Sequence, residues 1–569
     1  MFSRHLLFPR NIRCLSETLN VCRRFHKFSR QVPTSIICKQ QVKPIFFRNV
    51  RYATTNSGLK KNVPLIVGLA TVGGAVVAYT VFRKKKSSTS VAEDEDVEIP
   101  FVQEHLKEDL ALLDEFGAIP YLLIGAGAAS FSAYRAIRTR DPTAKVLMIG
   151  DEEFFPYMRP PLSKEMWYDD KPDITETLSF AQWDGKNRSV FFESPSFYFS
   201  MKELLDNKNG GISVIRGKKR SRPKNLPVFE NVDKSIKKHI TLFKTIKDFR
   251  KLDKVCKKSE SVIIVGGGFL GSELACGLTR KYSPSSLQVS QIFPETGNIG
   301  KVLPEYLSTW TTKKLESEGV KIIPEVEVKA MSKQGNKIEM LLSNNQVVKA
   351  DHIVVAVGAD PNTDFAKISG LEIDPQHGGF VVNTEMEARK NLWIAGDASC
   401  FYDANLGRRR VEHYDHANVS GRLAGENMAG NNKPYWHQSM FWSDLGPQIG
   451  FEGIGVVDSS LPTVGVFIKP KEIEKPEIQT DVVKGEEKSD VSKSETKLDS
   501  TFRSPNSSDD YAKGLIFYIR EDTIVGILLW NVLGKMQIAR QVINEAKSQD
   551  DVAEIAKLFE LHDSEEVIA

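Results

Sequence analysis

The chain has 569 residues, and because single hydrophobic cores stop growing near ~250 to 300 residues, we expect two or three domains. Its 77 basic and 73 acidic side chains nearly cancel, but residues 1–100 hold 17 basic and 6 acidic residues, so the remainder carries a net charge of −7. An acidic body argues against a general phosphate-binding surface. The best local candidate for a DNA-binding patch is Arg408-Arg409-Arg410, although three adjacent arginines more often lie in a solvated loop or pair with acids.

The six cysteines form no metal-binding or redox pattern. Three of them, Cys14, Cys22 and Cys38, lie in the basic leader, and no CxxC pair occurs. This spacing argues against a disulfide scaffold, a cysteine zinc site and a thiol-disulfide centre. We therefore predict no metal site, and any redox chemistry must come from a cofactor.

The leader is rich in arginine and serine. Residues 1–60 contain twelve Lys and Arg but one acid, Glu17. This composition is typical of a mitochondrial presequence, and a disordered basic tail is the alternative. We predict a transit peptide over residues 1–52.

An uncharged run of twenty residues occupies positions 63–82, between Lys60-Lys61 and a basic cluster that begins at Arg83. A helix that rises about 1.5 Å per residue would cross a hydrocarbon layer of ~30 Å with this length. A buried core helix is the alternative, but the charged flanks favour one transmembrane helix. Residues 83–117, which include AEDEDVE, are predicted to be a flexible tether.

A nucleotide-binding motif follows the apolar strand predicted over residues 121–124. The sequence GAGAAS at residues 125–130 leads directly into a predicted helix. Gly125 permits the tight turn, Gly127 lets the backbone approach a pyrophosphate, and the N-terminus of the helix donates N–H groups. Ser130 replaces the third glycine, which weakens the motif without breaking it. These features predict a Rossmann unit.

A second and cleaner copy follows the strand predicted over residues 261–265, where GGGFLG occupies residues 266–271. In both units an acid follows the next strand, Asp151 in the first and Glu295 in the second. A carboxylate at this position binds ribose hydroxyls, and in the second unit it favours NAD over NADP. Two such units predict two bound nucleotides.

The remaining segments predict a third region. NLWIAGD at residues 391–397 places Asp397 after an apolar strand, where flavin reductases commonly hold the flavin side chain, although GD alone is an ordinary turn. Residues 434–469 and the segment from Tyr511 onward alternate in the manner of an antiparallel sheet. Between them, residues 470–510 are dense in Lys, Glu, Asp and Ser and are predicted to be a disordered insertion.

Four segments together resemble the apoptosis-inducing factor family in its mitochondrial form: YMRPPLSKE from residue 157, GGGFLGSELAC from 266, GRRRVEH from 407 and PYWHQSMFWSDLGP from 434. The resemblance implies an α/β fold of the glutathione-reductase type, with two Rossmann-type nucleotide-binding domains and an α+β C-terminal domain. The FAD-binding domain is implied to consist of two segments, 118–240 and 360–433. The NAD-binding domain is implied at 241–359, between those segments, and the C-terminal domain at 434–569.

The resemblance also implies cofactor contacts, carried over motif by motif. Those to FAD are Gly125, Ala126, Gly127, Ala128, Ala129, Asp151, Glu152, Arg159, Lys164, Lys244, Asp397, His413, Tyr414 and Trp442. Those to NADH are Gly267, Gly268, Phe269, Leu270, Glu295, Lys301, Gly358, Glu412, Glu452 and Asn531. Lys244 falls where the family often has arginine, which keeps the charge but loses bidentate geometry.

Four residues match the family's catalytic positions. Lys164 and Glu273 resemble an ion pair beside the isoalloxazine ring of the flavin, while Phe269 and His413 resemble residues that flank the nicotinamide. Each has a structural alternative: an ion pair that only stabilises the fold, a core phenylalanine and a loop histidine.

One segment departs from the family pattern. After Lys219 the family continues through a β-hairpin and a further strand of the FAD domain, but here Arg220-Ser221-Arg222-Pro223 follows directly, which shortens the unit by about thirty residues. Two explanations remain: a variant without a competent FAD site, or a sheet that closes differently.

The resemblance implies a slow NADH oxidoreductase that senses redox state and forms a homodimer on reduction. It implies that the folded body lies in the intermembrane space and is attached to the mitochondrial inner membrane. It also implies a role in support of the respiratory chain, with a disulfide-import oxidoreductase as partner. The resemblance also implies that the protein, after its release, causes caspase-independent cell death with chromatin condensation in the nucleus. DNA is a weaker candidate partner. The alternatives are a scaffold protein and an electron-transfer reductase of the ferredoxin or monodehydroascorbate type.

Overall fold

The computed structural model describes residues 119–182, 185–217, 225–230, 232–282, 287–364, 366–446, 448–468 and 511–561. Upstream it describes the backbone of three strands, Ile36–Lys39, Val67–Val72 and Ala75–Thr80. The rest of the predicted transit peptide and tether, and the predicted insertion at 470–510, lie outside these residues.

The first Rossmann unit is present as predicted. Strand Tyr121–Ile124 pairs in parallel with Lys145–Gly150, which pairs in parallel with Gly211–Arg216. The glycine-rich turn leads into helix Ala128–Arg140. Three further strands complete a six-stranded sheet in the order Glu387–Arg389, Leu392–Ile394, Ile36–Lys39, Tyr121–Ile124, Lys145–Gly150, Gly211–Arg216.

The centre of this sheet is where the shortened segment was expected to matter. Strand Ile36–Lys39 lies between Tyr121–Ile124 and Leu392–Ile394 and is antiparallel to both. The middle of the described sheet does not contain the parallel strand that the family pattern implies. A segment of the leader occupies this place and joins the two halves of the unit.

Two glycines allow a later helix of the chain to pack closely against the first unit. On helix Tyr414–Met428, an added Cβ at Gly421 would lie 2.2 Å from the carbonyl oxygen of Ala129, and one at Gly425 would lie 2.3 Å from that of Ala133. The two helices can therefore pack only because these positions lack side chains. This contact brings His413, at the N-terminus of the second helix, to the first unit.

The segment predicted to cross a membrane has a different structure. Val67–Val72 and Ala75–Thr80 form an antiparallel pair instead of the predicted helix over 63–82. The Gly73-Gly74 dipeptide between them and the valine and threonine content favour a hairpin over a helix. Among the residues that the structure describes, no helix is both long and apolar enough to cross a membrane.

The second Rossmann unit also forms as predicted. Its parallel sheet has the order Lys321–Ile323, Gln288–Ile292, Ser261–Val265, His352–Val355, Ile240–Leu242. Helices Ile246–Cys256, Phe269–Tyr282 and Glu305–Ser317 accompany it, together with an antiparallel sheet of Val328–Gln334, Lys337–Leu342 and Val347–Ala350. The central strands are almost fully buried, as expected for a parallel sheet covered on both faces.

The C-terminal region contains the predicted antiparallel sheet. Its order is Met440–Leu445, Ile449–Gly455, Thr523–Trp530, Gly514–Arg520, Thr463–Phe467, and helices Met536–Asn544 and Val552–Leu558 pack on it. The register pairs Trp442 with Glu452. The first strand also contacts helix Phe269–Tyr282, so this sheet contributes to the site described below.

The smaller elements connect these units. The short strands are Ser179–Ala181, Asn187–Ser189, Phe380–Val381, Ser399–Asp403 and Gly407–Arg409. The short helices are Pro160–Leu162, Glu165–Tyr168, Ile174–Thr177, Pro195–Phe197, Met201–Asp206, Pro227–Glu230, Lys234–Lys237, Ala366–Ser369, Gly396–Ala398 and Gln549–Asp551.

The close helix packing gives a prediction. We expect Gly421→Ala to destabilise the chain by about 1–3 kcal/mol, because the new methyl group would meet backbone atoms that cannot rotate away. Arg422→Ala, at the exposed next position, should change stability by no more than about 0.5 kcal/mol. Thermal unfolding of both variants measures the difference, and equal midpoints would show that the helices are not packed as described.

Candidate active site

A cavity of about 460 Å³ lies where the first unit, the second unit and the C-terminal sheet meet, and its volume is typical of a small-molecule site. Most of the predicted cofactor and catalytic residues line it. They are Gly127, Ala128, Ala129, Arg159, Lys164, Lys244, Gly268, Phe269, Leu270, Glu273, Gly358, Asp397, Glu412, His413, Tyr414 and Trp442. The predicted contacts outside the cavity wall are Gly125, Ala126, Asp151, Glu152, Gly267, Glu295, Lys301, Glu452 and Asn531.

Both glycine-rich turns open toward the cavity. An added Cβ at Gly127 or at Gly268 would have no heavy atom of the surrounding structure within 4 Å, so ligand atoms could approach the backbone at both positions. Each glycine directly precedes the N-terminus of a helix of at least 13 residues, Ala128–Arg140 and Phe269–Tyr282. Free N–H groups and the positive end of the helix dipole make such sites suited to pyrophosphate.

Two cations, Arg159 and Lys244, line the cavity. Arg159 is held in place because Nη2 donates to Oε1 of Glu152 at 2.6 Å and Nη1 donates to the hydroxyl of Tyr157 at 2.8 Å. It also donates to the backbone carbonyl of Lys244 at 3.1 Å. Burial and the charge of Arg159 lower the pKa of Lys244. Glu152 therefore orients a cation of the cavity wall and does not line the cavity itself.

Asp151 has an unsatisfied carboxylate next to this cluster. Its buried Oδ2 atom has no hydrogen-bond partner in the described structure. Burial, and to a lesser degree the neighbouring Glu152, raises the pKa of Asp151 to about 6. A buried acceptor without a donor is costly, and ribose hydroxyls are donors that would satisfy it.

Lys164 and Glu273 form a buried ion pair at the cavity wall. The Nζ–Oε1 distance is 2.8 Å, and the side chains are 8% and 4% exposed. Lys164 precedes the short helix Glu165–Tyr168 of the first unit, and Glu273 lies on helix Phe269–Tyr282 of the second unit. The Lys164 Nζ atom also lies 6.0 Å from the ring centroid of Trp442, which belongs to the C-terminal sheet.

Phe269 and His413 form the aromatic portion of the wall. Their ring centroids are 5.8 Å apart in an edge-to-face arrangement, and His413 stacks on Phe441 at 5.0 Å. Burial, and secondarily the positive charge of Lys164, lowers the pKa of His413 to about 4. The imidazole is therefore neutral at neutral pH and offers a flat, uncharged surface for a planar ring.

Acids near the second nucleotide turn have different environments. Glu295 pairs with the exposed Lys301 at 3.2 Å, outside the cavity wall. Glu452 lies opposite Trp442 in the C-terminal sheet and has a buried oxygen, Oε2, without a hydrogen-bond partner in the described structure. Asn531 is anchored within the C-terminal sheet, because its side chain accepts from the Gly450 N–H at 2.7 Å and donates to two backbone carbonyls.

The three arginines considered as a DNA-binding patch form hydrogen bonds within the protein. Arg408, Arg409 and Arg410 each donate to backbone carbonyl oxygens of distant segments, at 2.8, 2.7 and 2.8 Å. Arg410 also pairs with Glu412, whose pKa is raised by burial. This finding favours the structural explanation for the run.

Sequence reasoning missed several wall residues: Tyr157, Pro160, Leu162, Ser163, Phe243, Ala356, Ala359, Gly396 and Ala417. Four of them lie inside the quoted YMRPPLSKE segment, so that motif was the available signal. For the others no residue type suggested a ligand, because they contribute shape more than polar groups.

The residues present fit a flavin dinucleotide. The open glycine turn, the Arg159–Lys244 cations and the orphaned Asp151 oxygen supply what a pyrophosphate and an adenosine ribose require. Among the described residues no group of His, Cys, Asp or Glu could hold a metal ion, and Cys256, Cys276 and Cys400 are buried free thiols.

Comparison with protein families supports this interpretation. Residues 120–421 match the family described as pyridine nucleotide-disulphide oxidoreductase, and residues 424–545 match the C-terminal family of mitochondrion-associated apoptosis-inducing factor. The apoptosis-inducing factor 1, mitochondrial, of Dictyostelium discoideum is 32% identical over 88% of this chain and 92% of its own length. The chain belongs to the apoptosis-inducing factor family. It is a pyridine nucleotide oxidoreductase with FAD and NAD(P)H as cofactors.

A second relative and two solved structures agree. The putative apoptosis-inducing factor 1, mitochondrial, of Drosophila melanogaster is 47% identical over 78% of this chain, which spans 66% of that relative's length. A putidaredoxin reductase–putidaredoxin complex matches with a TM-score of 0.56 at 16% identity, covering 76% of this chain and 97% of that one. A ferredoxin reductase from Rhodopseudomonas palustris matches at 0.52 and 18%, covering 75% and 96%. These two structures support the reductase fold.

The environment of Asp151 gives a prediction. The ionised carboxylate accepts hydrogen bonds from ribose, and the pKa of about 6 in the free chain means that it is largely protonated at pH 5. FAD affinity should therefore rise as the pH rises from 5 to 7, by at most about tenfold per unit below the pKa.

Equilibrium binding of FAD at several pH values measures this effect. Asp151→Asn should bind more weakly at pH 7 and lose the pH dependence, whereas Glu153→Gln, at an exposed neighbouring position, should keep it. A wild-type affinity that does not vary between pH 5 and 7 would contradict the assignment.

Proposed function

We propose that this family member oxidises NADH with bound FAD as the electron acceptor, turns over slowly and acts mainly as a redox sensor. One observation carries the proposal: the Lys164–Glu273 pair and the Phe269–His413 pair line the same cavity toward which both glycine-rich turns open. A cavity of this kind suits two nucleotides that meet at their reactive rings.

Each wall residue has a task in this scheme. Gly127 and the following helix hold the pyrophosphate of FAD, and Arg159 with Lys244 balances its charge. FAD, when bound, supplies the acceptor for two electrons and a proton from NADH. Lys164 places a positive charge beside the ring system, where negative charge develops on reduction, and Glu273 limits the effect of that charge. Phe269 and the neutral His413 provide the stacking surfaces and exclude water.

The choice of nicotinamide nucleotide is proposed to depend on Glu295. An acid after the second strand accepts hydrogen bonds from free ribose hydroxyls and repels a 2′-phosphate. Its ion pair is easily exchanged for a ribose contact, because the partner Lys301 is 84% exposed and exposed pairs contribute little. We therefore infer a preference for NADH over NADPH.

We further propose a mitochondrial setting, supported by the names of the two relatives. Inner-membrane attachment, a body in the intermembrane space and support of the respiratory chain with a disulfide-import oxidoreductase rest on the family resemblance. Homodimer formation on reduction, and cell death with chromatin condensation in the nucleus after release, rest on it as well. Direct DNA binding has less support, because the candidate arginines are engaged within the protein.

A second candidate function is a binding protein that does not turn over. The antiparallel leader strand in the first sheet favours it, because this strand lies where the family pattern has a parallel strand of the FAD-binding domain. The two candidates differ in one measurable property, the response of bound flavin to NADH.

Rapid mixing with NADH tests the proposal. NADH should bleach the flavin absorbance of the wild-type chain, and NADPH should do so only at much higher concentration. Glu295→Ala should weaken NADH binding by about 10- to 100-fold, because a hydrogen bond to a charged group contributes ~1.5–3 kcal/mol. Glu305→Ala, at an exposed position on a neighbouring helix, is the matched control. Flavin absorbance that stays constant in saturating NADH would favour the binding-protein alternative.

A further inference from the structure

The carboxylate of Glu273 accepts more than the ion pair with Lys164. The Ser163 hydroxyl donates to Oε2 at 2.5 Å, and the Ser443 hydroxyl donates to Oε1 at 2.7 Å. Both serines are buried, at 6% and 0% exposure. Three donors therefore converge on one buried carboxylate, which is the arrangement expected around an ionised acid.

These donors come from different regions of the fold. Ser163 and Lys164 belong to the first unit, Glu273 to the second, and Ser443 to strand Met440–Leu445 of the C-terminal sheet. The hydrogen bonds span 110 and 170 residues of sequence. Any shift of the C-terminal strand relative to the second unit would stretch the bond to Ser443.

Other carboxyl groups face the same lysine but lack this support. Burial raises the pKa of Asp444 and of Glu165, and Lys164 lowers both. The Glu165 Oε2 atom has no hydrogen-bond partner in the described structure. Burial, and secondarily Asp444, raises the pKa of Glu452, and burial lowers the pKa of His413, which is neutral on the cavity side. Glu273 is thus the carboxyl group best suited to carry the negative charge beside Lys164.

We propose that Ser163 and Ser443 are positioning residues, which hold the Glu273 carboxylate aimed at Lys164 and so let the C-terminal sheet set the net charge beside the redox cofactor. The inference rests on the proposed function, because the charge matters only if a redox ring lies in the cavity. Loss of either hydroxyl would remove one of the hydrogen bonds that orient the Glu273 carboxylate and let it turn away from Lys164. Lys164 would then be left with its positive charge less balanced, and a reduced, more negative cofactor would be favoured.

The test uses the full chain and Ser443→Ala, Ser163→Ala and Ser443→Thr, the last of which keeps the hydroxyl. Thr279→Val is the control, because it removes a buried hydroxyl without a hydrogen-bond partner in the described structure from the same helix as Glu273. In flavin-loaded protein, each alanine variant should shift the reduction equilibrium about tenfold toward the reduced form, about 30 mV for a two-electron couple. The threonine variant and the control should match the wild type.

A second readout needs no cofactor. In the infrared spectrum of the flavin-free chain, the band lost in Glu273→Gln assigns the Glu273 carboxylate, and its frequency should shift in both alanine variants, because each loses one hydrogen bond to that group. Alanine variants with wild-type potential and a wild-type carboxylate frequency would overturn the inference. A wild-type chain that binds no flavin would sink the proposed function alone, since the infrared measurement would still decide whether the serines hold the carboxylate.

Discussion

The buried charge pair of Lys164 and Glu273 is the constraint on which the site depends. Two ions with side chains 8% and 4% exposed are stable only if each finds its partner and the remaining lone pairs are satisfied. Removing one member of such a pair typically costs about 3–5 kcal/mol, because the other charge is left uncompensated. The first unit, the second unit and the C-terminal sheet must therefore meet at this point, and their meeting forms the cavity.

The same meeting explains how a fold of repeated units becomes a site for chemistry. Each Rossmann unit by itself has a glycine turn and a helix N-terminus, which bind phosphate but do not catalyse a reaction. The C-terminal sheet adds Trp442 and Ser443, and the glycine-packed helix Tyr414–Met428 adds His413. The proposed function therefore depends on the contact between units, while the fold itself is shared with the two solved reductases.

The sequence allowed much of this to be predicted, and the reasons for the failures are physical. Both Rossmann strands and the helices that follow were predictable because glycine turns, apolar strands and helix starts are local signals. Ser443 was not, because a serine on a strand gains meaning only from a carboxylate 170 residues away. The hydrogen bond from the Gly450 N–H to Asn531 was not predictable either, because it joins residues 81 positions apart. The segment at 63–82 was uncharged enough for a membrane helix, but its valines and paired glycines suit the hairpin that forms.

The central claim is that the cavity holds one FAD even though the first sheet is closed by a leader strand, and the flavin absorbance of the purified full-length chain tests it most directly. We expect one FAD per chain after gel filtration and its retention on dilution. A colourless chain that takes up no flavin when FAD is added would contradict the account. Such a chain would be a family member without FAD-dependent activity.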